Sequence, residues 1–263
     1  MFFKQIEQLY GAPGMAIFML VSGLLLYFGL SGFSYLYTFV WNRGRFVPDY
    51  RPDRNEIRAA LFWSMMSVLG NVVLMLPLQL LAVRGHSRLY YDVSDHSWAY
   101  LGLTLIVELC FSEFLVYWIH RWLHLPFFYR HIHRIHHKFR SPTPLASLAF
   151  HPLDGFAQAV PHHLLVFLMP VHIYVYMGFI FSVSVWTVLI HDRVSWIGWP
   201  AINYTGHHTL HHWFNKGNFG QFFTICDRLF GTYRDPATLP ERFFASYPPE
   251  HPTRQAHSAA AAV

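Results

Sequence analysis

Charged residues are spaced so unevenly that they cut the chain into segments. Between Glu7 and Arg43 lie 35 residues without a charge, and between Arg58 and Arg84 another 25, rich in Leu, Val and Met. About 30 Å of hydrocarbon requires roughly 20 apolar residues of helix, so each interval predicts a membrane-crossing helix. A third crossing runs from about Trp98 to Trp118, and the Glu108 and Glu113 it carries are costly in lipid and are expected to face the bundle interior. The fourth interval, Gly155 to His191, is 37 residues long and is divided by Pro161 and Pro170, which predicts a hairpin entering and leaving on one side. The first stretch is longer than a signal-peptide core, and no small-residue cleavage site precedes the aromatic run Phe33 to Trp41, so it reads as a span.

The expected fold is an all-α integral membrane protein with four to five transmembrane or re-entrant helices. An N-terminal transmembrane region covers 1–119, a histidine-rich helical cap with the hairpin 155–190 covers 120–247, and a disordered tail covers 248–263. Basic residues orient it. Arg43, Arg45, Arg51, Arg54 and Arg58 occupy the first loop, which the excess of Lys and Arg places in the cytoplasm. Three crossings then bring His120 to the cytoplasmic face and the hairpin returns His191 to it. Of the 19 basic residues, only Lys4, Arg84 and Arg88 fall on the opposite side. This predicts the inner membrane in a bacterium and the endoplasmic reticulum in a eukaryote.

Composition narrows the function. With 54% hydrophobic and 13% charged residues, a conventional soluble enzyme is excluded. The net charge of +5 comes without a dense basic run, so nucleic acid is not an expected partner and membrane lipid is. Cys110 and Cys226 have no CxxC spacing, so any metal would be held by imidazole or carboxylate. Histidine is abundant, at 19 residues.

Eight of these histidines fall in three clusters. His120 and His124 stand at i and i+4 on a predicted helix, one turn apart on the same face. His133, His136 and His137, and again His208, His211 and His212, stand at i, i+3 and i+4, with rings leaving one helical face. An isolated histidine is most often a hydrogen-bonded or interfacial side chain, and His86, His96, His251 and His257, which carry no such spacing, read as surface residues. His162, His163 and His172 in the apolar hairpin read as core or cavity packing. Eight clustered rings without a metal would leave many buried nitrogens unsatisfied, so the clusters predict metal ligation. Zinc takes four ligands and an octahedral ion six, so the count predicts two metals. Imidazole suits iron, zinc and copper alike, but a redox pair that binds dioxygen calls for neutral ligands and open positions. Glu113, seven residues before His120, either orients a ligand ring by accepting its proton or is a bonded polar residue of the bundle.

The ordered set HxxxH, HxxHH and HxxHH resembles the fatty acid hydroxylase and sterol desaturase superfamily of di-iron membrane oxygenases. The stretches YWIHRWLH, HRIHHKFRSPTPLASLAFHPLDGF, VLIHD and HHTLHHWFNKGNFGQFFTICDRLFGTY, across Val116 to Pro236, are most similar to its sterol C-5 desaturase branch. The resemblance implies two iron ions held by His120, His124, His133, His136, His137, His208, His211 and His212, with His191 as a further ligand. His151, in a recurrent His-Pro pair, is implied to be structural or to support a ligand, and His207 stands as an alternative to it or to His191. The segment Asn218 to Tyr233 is implied to be a lid, with turns at Gly220 and Gly231. The implied reaction uses dioxygen to introduce a double bond into a sterol, the alternative being hydroxylation of a fatty acyl chain, carotenoid or sterol methyl group. The chain has no His-Pro-Gly-Gly haem segment and no GxGxxG, so electrons are expected from a separate cytochrome b5 or ferredoxin with its reductase. Arg130, Arg134, Lys138 and Arg140 offer it a basic docking face, or a contact for anionic lipid.

Overall fold

The computed structural model describes residues 2–194 and 196–238. The predicted tail 248–263 lies outside the described residues. Three helices are long and apolar enough to cross a membrane, Phe3–Trp41, Arg54–His86 and Trp98–Leu123. The first comprises α1 (Phe2–Leu26), kinked at Gly11 where φ is 62°, and continues through wider turns at Tyr27–Gly32 and Leu36–Trp41. The part beyond the kink, 12–41, would run up to about 45 Å if straight, longer than one bilayer core.

The second crossing, α2 (Arg54–Leu81), starts where Asp53 accepts a hydrogen bond from the Asn55 N–H at 2.8 Å. The third, α3 (Trp98–Leu123), starts where the Ser97 hydroxyl accepts from the Tyr100 N–H at 3.2 Å. Glu108 and Glu113 on α3 are buried, as expected of acids in lipid. The short α4 (Pro126–His131) follows.

The hairpin is built as its prolines predict. It consists of α5 (Pro152–Ala159), α6 (Pro161–Leu168) and α7 (Ile173–Leu189), with Pro161 opening α6 and Pro170 ending it. At its turn, β2 (Val171–His172) pairs in parallel with β1 (Leu89–Tyr90), in register Leu89 to Val171 and Tyr90 to His172. The loop after α2 and the hairpin turn therefore sit at one end of the bundle. At the other end, Phe39, Phe46, Val47 and Tyr50 pack on Val194, so the arginine-rich first loop lies beside the histidine region.

α5 docks on α2 through small residues. A Cβ on Gly155 would stand 2.5 Å from the Ser67 hydroxyl oxygen, and one on Gly70 would stand 2.3 Å from Pro152 Cβ, so only glycine permits this approach. The loop before α5 is pinned on the same side: Tyr27 and Ser64 both donate to the Leu145 carbonyl, at 2.8 and 3.1 Å, and Ser31 meets Ser147 at 2.9 Å. The segment that carries the site is thus clamped between the first two crossings.

Candidate metal centre

Each histidine cluster comes from a different part of this frame. α3 carries His120 near its end and His124 just past it; a 3-10 turn, His133–Lys138, follows α4; His191 stands just past α7; and α8 (Thr205–Phe214) carries His208, His211 and His212. Nine rings meet in two adjoining groups. One holds His120, His124, His133, His137 and His211, the other His136, His191, His208 and His212, and within each group the ligand atoms lie within 4.8 Å of one another.

The HxxHH clusters differ from the sequence expectation. The rings of each do not serve one face. His133 and His137 turn to the first group while His136 turns to the second, and His208 and His212 join the second while His211 joins the first. The first of these clusters is a 3-10 turn rather than an α-helix, which changes the angles at which successive side chains leave the backbone.

Ring nitrogens converge at distances that suit a shared ion. In the first group His120 and His133 Nε2 are 3.2 Å apart, His133 and His137 Nε2 3.0 Å, and His124 and His211 Nε2 3.3 Å. In the second, His136 and His191 Nε2 are 3.4 Å apart, and His208 Nε2 lies 3.0 Å from that of both His191 and His212. Two nitrogens each about 2.1 Å from one ion stand about 3.0 Å apart at a right angle and about 3.4 Å apart at a tetrahedral angle.

The outer ring nitrogens explain which lone pairs face inward. Nδ1 of His120 donates to the Phe219 carbonyl at 3.0 Å, that of His211 to the Gly217 carbonyl at 2.8 Å, that of His191 to the Thr187 carbonyl at 2.6 Å, and that of His133 to the Asp154 carboxylate at 2.7 Å. Each bond puts the ring proton on Nδ1 and leaves Nε2 as an acceptor aimed at the group centre. Burial, reinforced by the neighbouring rings, holds His136, His137, His208, His211 and His212 well below the usual imidazole range, and burial takes His191 down to about 4. All are neutral near pH 7, the form that binds metal.

Two carboxylates shape the surrounding loop. Glu113 accepts from the backbone N–H of Gln221, Phe222 and Phe223 at 3.1, 2.8 and 3.3 Å, and Asp227 accepts from Phe219 and Gly220 at 2.9 and 2.8 Å. Glu113 therefore holds the loop that presents the Phe219 carbonyl, as the second of its two readings, a hydrogen-bonded polar residue, has it; among the described carboxylates, Asp154 is the one that accepts from a ring of these groups. Asp154 went unmarked in the sequence, where the only signal was an acid in the first turn of a helix inside the HPLDGF stretch. Gly220 allows the tight fit, since a Cβ there would stand 2.9 Å from Glu113 Oε1.

His207 and His151 lie outside both groups. His207 is buried, with Nε2 3.3 Å from the Tyr233 hydroxyl, and His151 caps α5 by accepting from the Leu153 N–H at 3.2 Å.

Beside the groups is a cavity of about 200 Å³, walled in part by His120, His136, His191 and His208. It shares Asn71, Leu148, Ala159, His163, Ile180 and Ser184 with a second cavity of about 320 Å³, lined mainly by apolar side chains of α1, α2 and α7. The two cavities adjoin along these side chains, one on the side of the histidines and one on the side of α1.

Fold and site define the class: an integral membrane protein with two adjoining all-histidine cages suited to metal ions and bordered by a largely apolar cavity. The fatty acid hydroxylase family model matches residues 105–232. The chain is 41% identical over 191 residues to lathosterol oxidase of Rattus norvegicus, covering 71% of this chain and 64% of the relative. It is 40% identical over 208 residues to a Delta(7)-sterol 5(6)-desaturase of Gibberella zeae, covering 78% and 64%, and 35% identical over 235 residues to lathosterol oxidase of Homo sapiens, covering 86% and 77%. No solved structure matches it. The chain belongs to the fatty acid hydroxylase family, an iron-dependent family.

Proposed function

We propose that this protein is a sterol desaturase that introduces the C-5 double bond into a Δ7-sterol. The observation that carries the reading is the convergence of nine imidazole Nε2 positions on two centres at the wall of a largely apolar cavity. The relatives named above support the reaction and the substrate class, and the chain matches 64% of the length of the first two.

In this reading His120, His124, His133, His137 and His211 hold one iron ion and His136, His191, His208 and His212 the other. Bound there, the iron pair supplies activation of dioxygen and removal of two hydrogen atoms from adjacent sterol carbons. The chain's own part is positioning. Asp154 and the Phe219, Gly217 and Thr187 carbonyls fix ring orientation.

Electrons and protons complete the balance, since dioxygen takes two electrons from the sterol and two from a donor to give two waters. Arg130, Arg134, Lys138 and Arg140 are all exposed, on the outer side of the turn whose His133, His136 and His137 face inward. That basic surface suits an acidic donor such as cytochrome b5 or a ferredoxin, reduced by its own reductase, on the cytoplasmic side. The first loop with its arginines lies at the same end, which supports that sidedness.

The test is to express the chain in cells lacking sterol C-5 desaturation, supply a Δ7-sterol and analyse the products by mass spectrometry. A product lighter by two hydrogens with the ultraviolet absorption of a conjugated 5,7-diene is expected. A product heavier by one oxygen would identify a hydroxylase, and unchanged sterol from metal-loaded, reduced protein would overturn the reading.

A further inference from the structure

Gln79, His163 and Tyr176 form a polar island in the wall of the outer chamber, and His163 also lines the inner one. The hydrogen bonds among them fix one proton. Gln79 donates through Nε2 to the Tyr176 oxygen at 3.0 Å, and the same Nε2 lies 3.2 Å from His163 Nδ1. The Tyr176 hydroxyl lies 2.6 Å from that Nδ1. An amide Nε2 can only donate, so His163 Nδ1 is an acceptor and the neutral ring carries its proton on Nε2. Among the described residues nothing accepts that N–H, which leaves a donor at the junction of the chambers.

We infer that His163 binds the 3-hydroxyl of the sterol and sets which carbons reach the metal cages, an inference that rests on the proposed sterol substrate. Steroid geometry fits it. The carbon bearing the hydroxyl is two bonds from C-5, so a hydroxyl held at the junction leaves C-5 and C-6 only a short reach from the histidines. The apolar walls of the outer chamber, which include Phe18, Met19, Leu26, Met75 and Val83, suit the sterol's hydrocarbon. Tyr176 and Gln79 are positioning residues. They orient the ring and fix its tautomer without touching the substrate.

Binding separates this from a purely structural role. Oxidised, metal-loaded protein in detergent is titrated with dehydroergosterol and with its 3-methyl ether, following loss of tryptophan emission. The ether cannot enter the same site without crowding the donor, so the wild type is expected to favour the free sterol about threefold to tenfold. His163→Leu should bind both alike, and Tyr176→Phe, which keeps the ring and loses only the hydroxyl, should weaken the preference if the leucine variant does not fold. Equal binding of the two probes by the wild type, or a full preference retained in His163→Leu, would overturn the inference and leave the sterol reading standing. Binding of neither probe would remove the sterol reading as well.

Discussion

The Asp154 carboxylate accepts the Nδ1–H of His133 at 2.7 Å, with both side chains fully buried. Gln158 donates to the other oxygen at 2.8 Å, so the acid has a partner on each side. Asp154→Asn keeps the shape but removes the charge that holds the His133 proton in place, and the amide can present N–H to Nδ1, which flips the tautomer. Metal affinity or turnover should fall by about 10- to 100-fold. Competition with a chelator measures the first, and unchanged affinity and activity would show that the pair is structural only.

Sorting of ligands between two groups predicts separable effects. His136→Ala opens the group with His191, His208 and His212, whereas His120→Ala opens the other. Metal content by elemental analysis should fall from about two per chain towards one in either variant, with activity abolished. His207→Ala should retain both metals, because His207 joins neither group. If His191→Ala keeps two metals and activity, the second group is misassigned.

Glu113 gives a prediction about the loop. Replacing it by Ala strands the N–H groups of Gln221, Phe222 and Phe223, at a cost of roughly 1–3 kcal/mol for each left unpaired. Glu113→Gln keeps one accepting oxygen and should lose less. A drop in Tm that is larger for Ala than for Gln is expected, with metal content little changed in the Gln variant; equal Tm values would mean that the loop holds itself.

Acid should destabilise the metal-free protein. His191 has its pKa brought down from the ordinary 6.5 to about 4 by burial. Between those values the unfolded chain takes up a proton that the folded one refuses. Stability is therefore full above pH 6.5 and is lost as pH falls towards 4, by up to about 1.4 kcal/mol per pH unit for each such ring. His136, His137, His208, His211 and His212, also held low by burial, act in the same direction. Thermal unfolding of chelator-treated protein at pH 8, 6.5 and 5 checks this, and a flat Tm across that range would contradict it.

Tags report sidedness. A tag between Asn42 and Ala59 should be cytoplasmic, and one between Arg84 and Ser97 should lie on the opposite side. Protease access to both from one side would refute the proposed topology.

Much of this was legible because the chemistry is local. Uncharged runs mark the crossings, Pro161 and Pro170 mark the hairpin breaks, and each histidine cluster is compact in sequence. The division of His136 from His133 and His137 was not legible, because it depends on a 3-10 turn and on where α8 lies relative to it. Asp154 was hidden for a related reason: it is 21 residues from the ring it holds, and only the docking of α5 on α2 brings them together. Glu113 was noticed as a buried acid, but its targets are backbone N–H groups more than a hundred residues away, which no side-chain pattern advertises.

The sharing of ligands between the two groups also bears on biosynthesis. His124 and His211 meet across 87 positions, and at about 5–20 residues per second a ribosome needs on the order of 4–17 seconds to make that interval. Until then the first group has only the rings of the first two clusters, and the second has His136 alone until the hairpin delivers His191. The order of synthesis thus fixes an order of assembly: the cage beside α3 is partly built on the nascent chain, whereas the other acquires His208 and His212 only when α8 has left the ribosome and folded back.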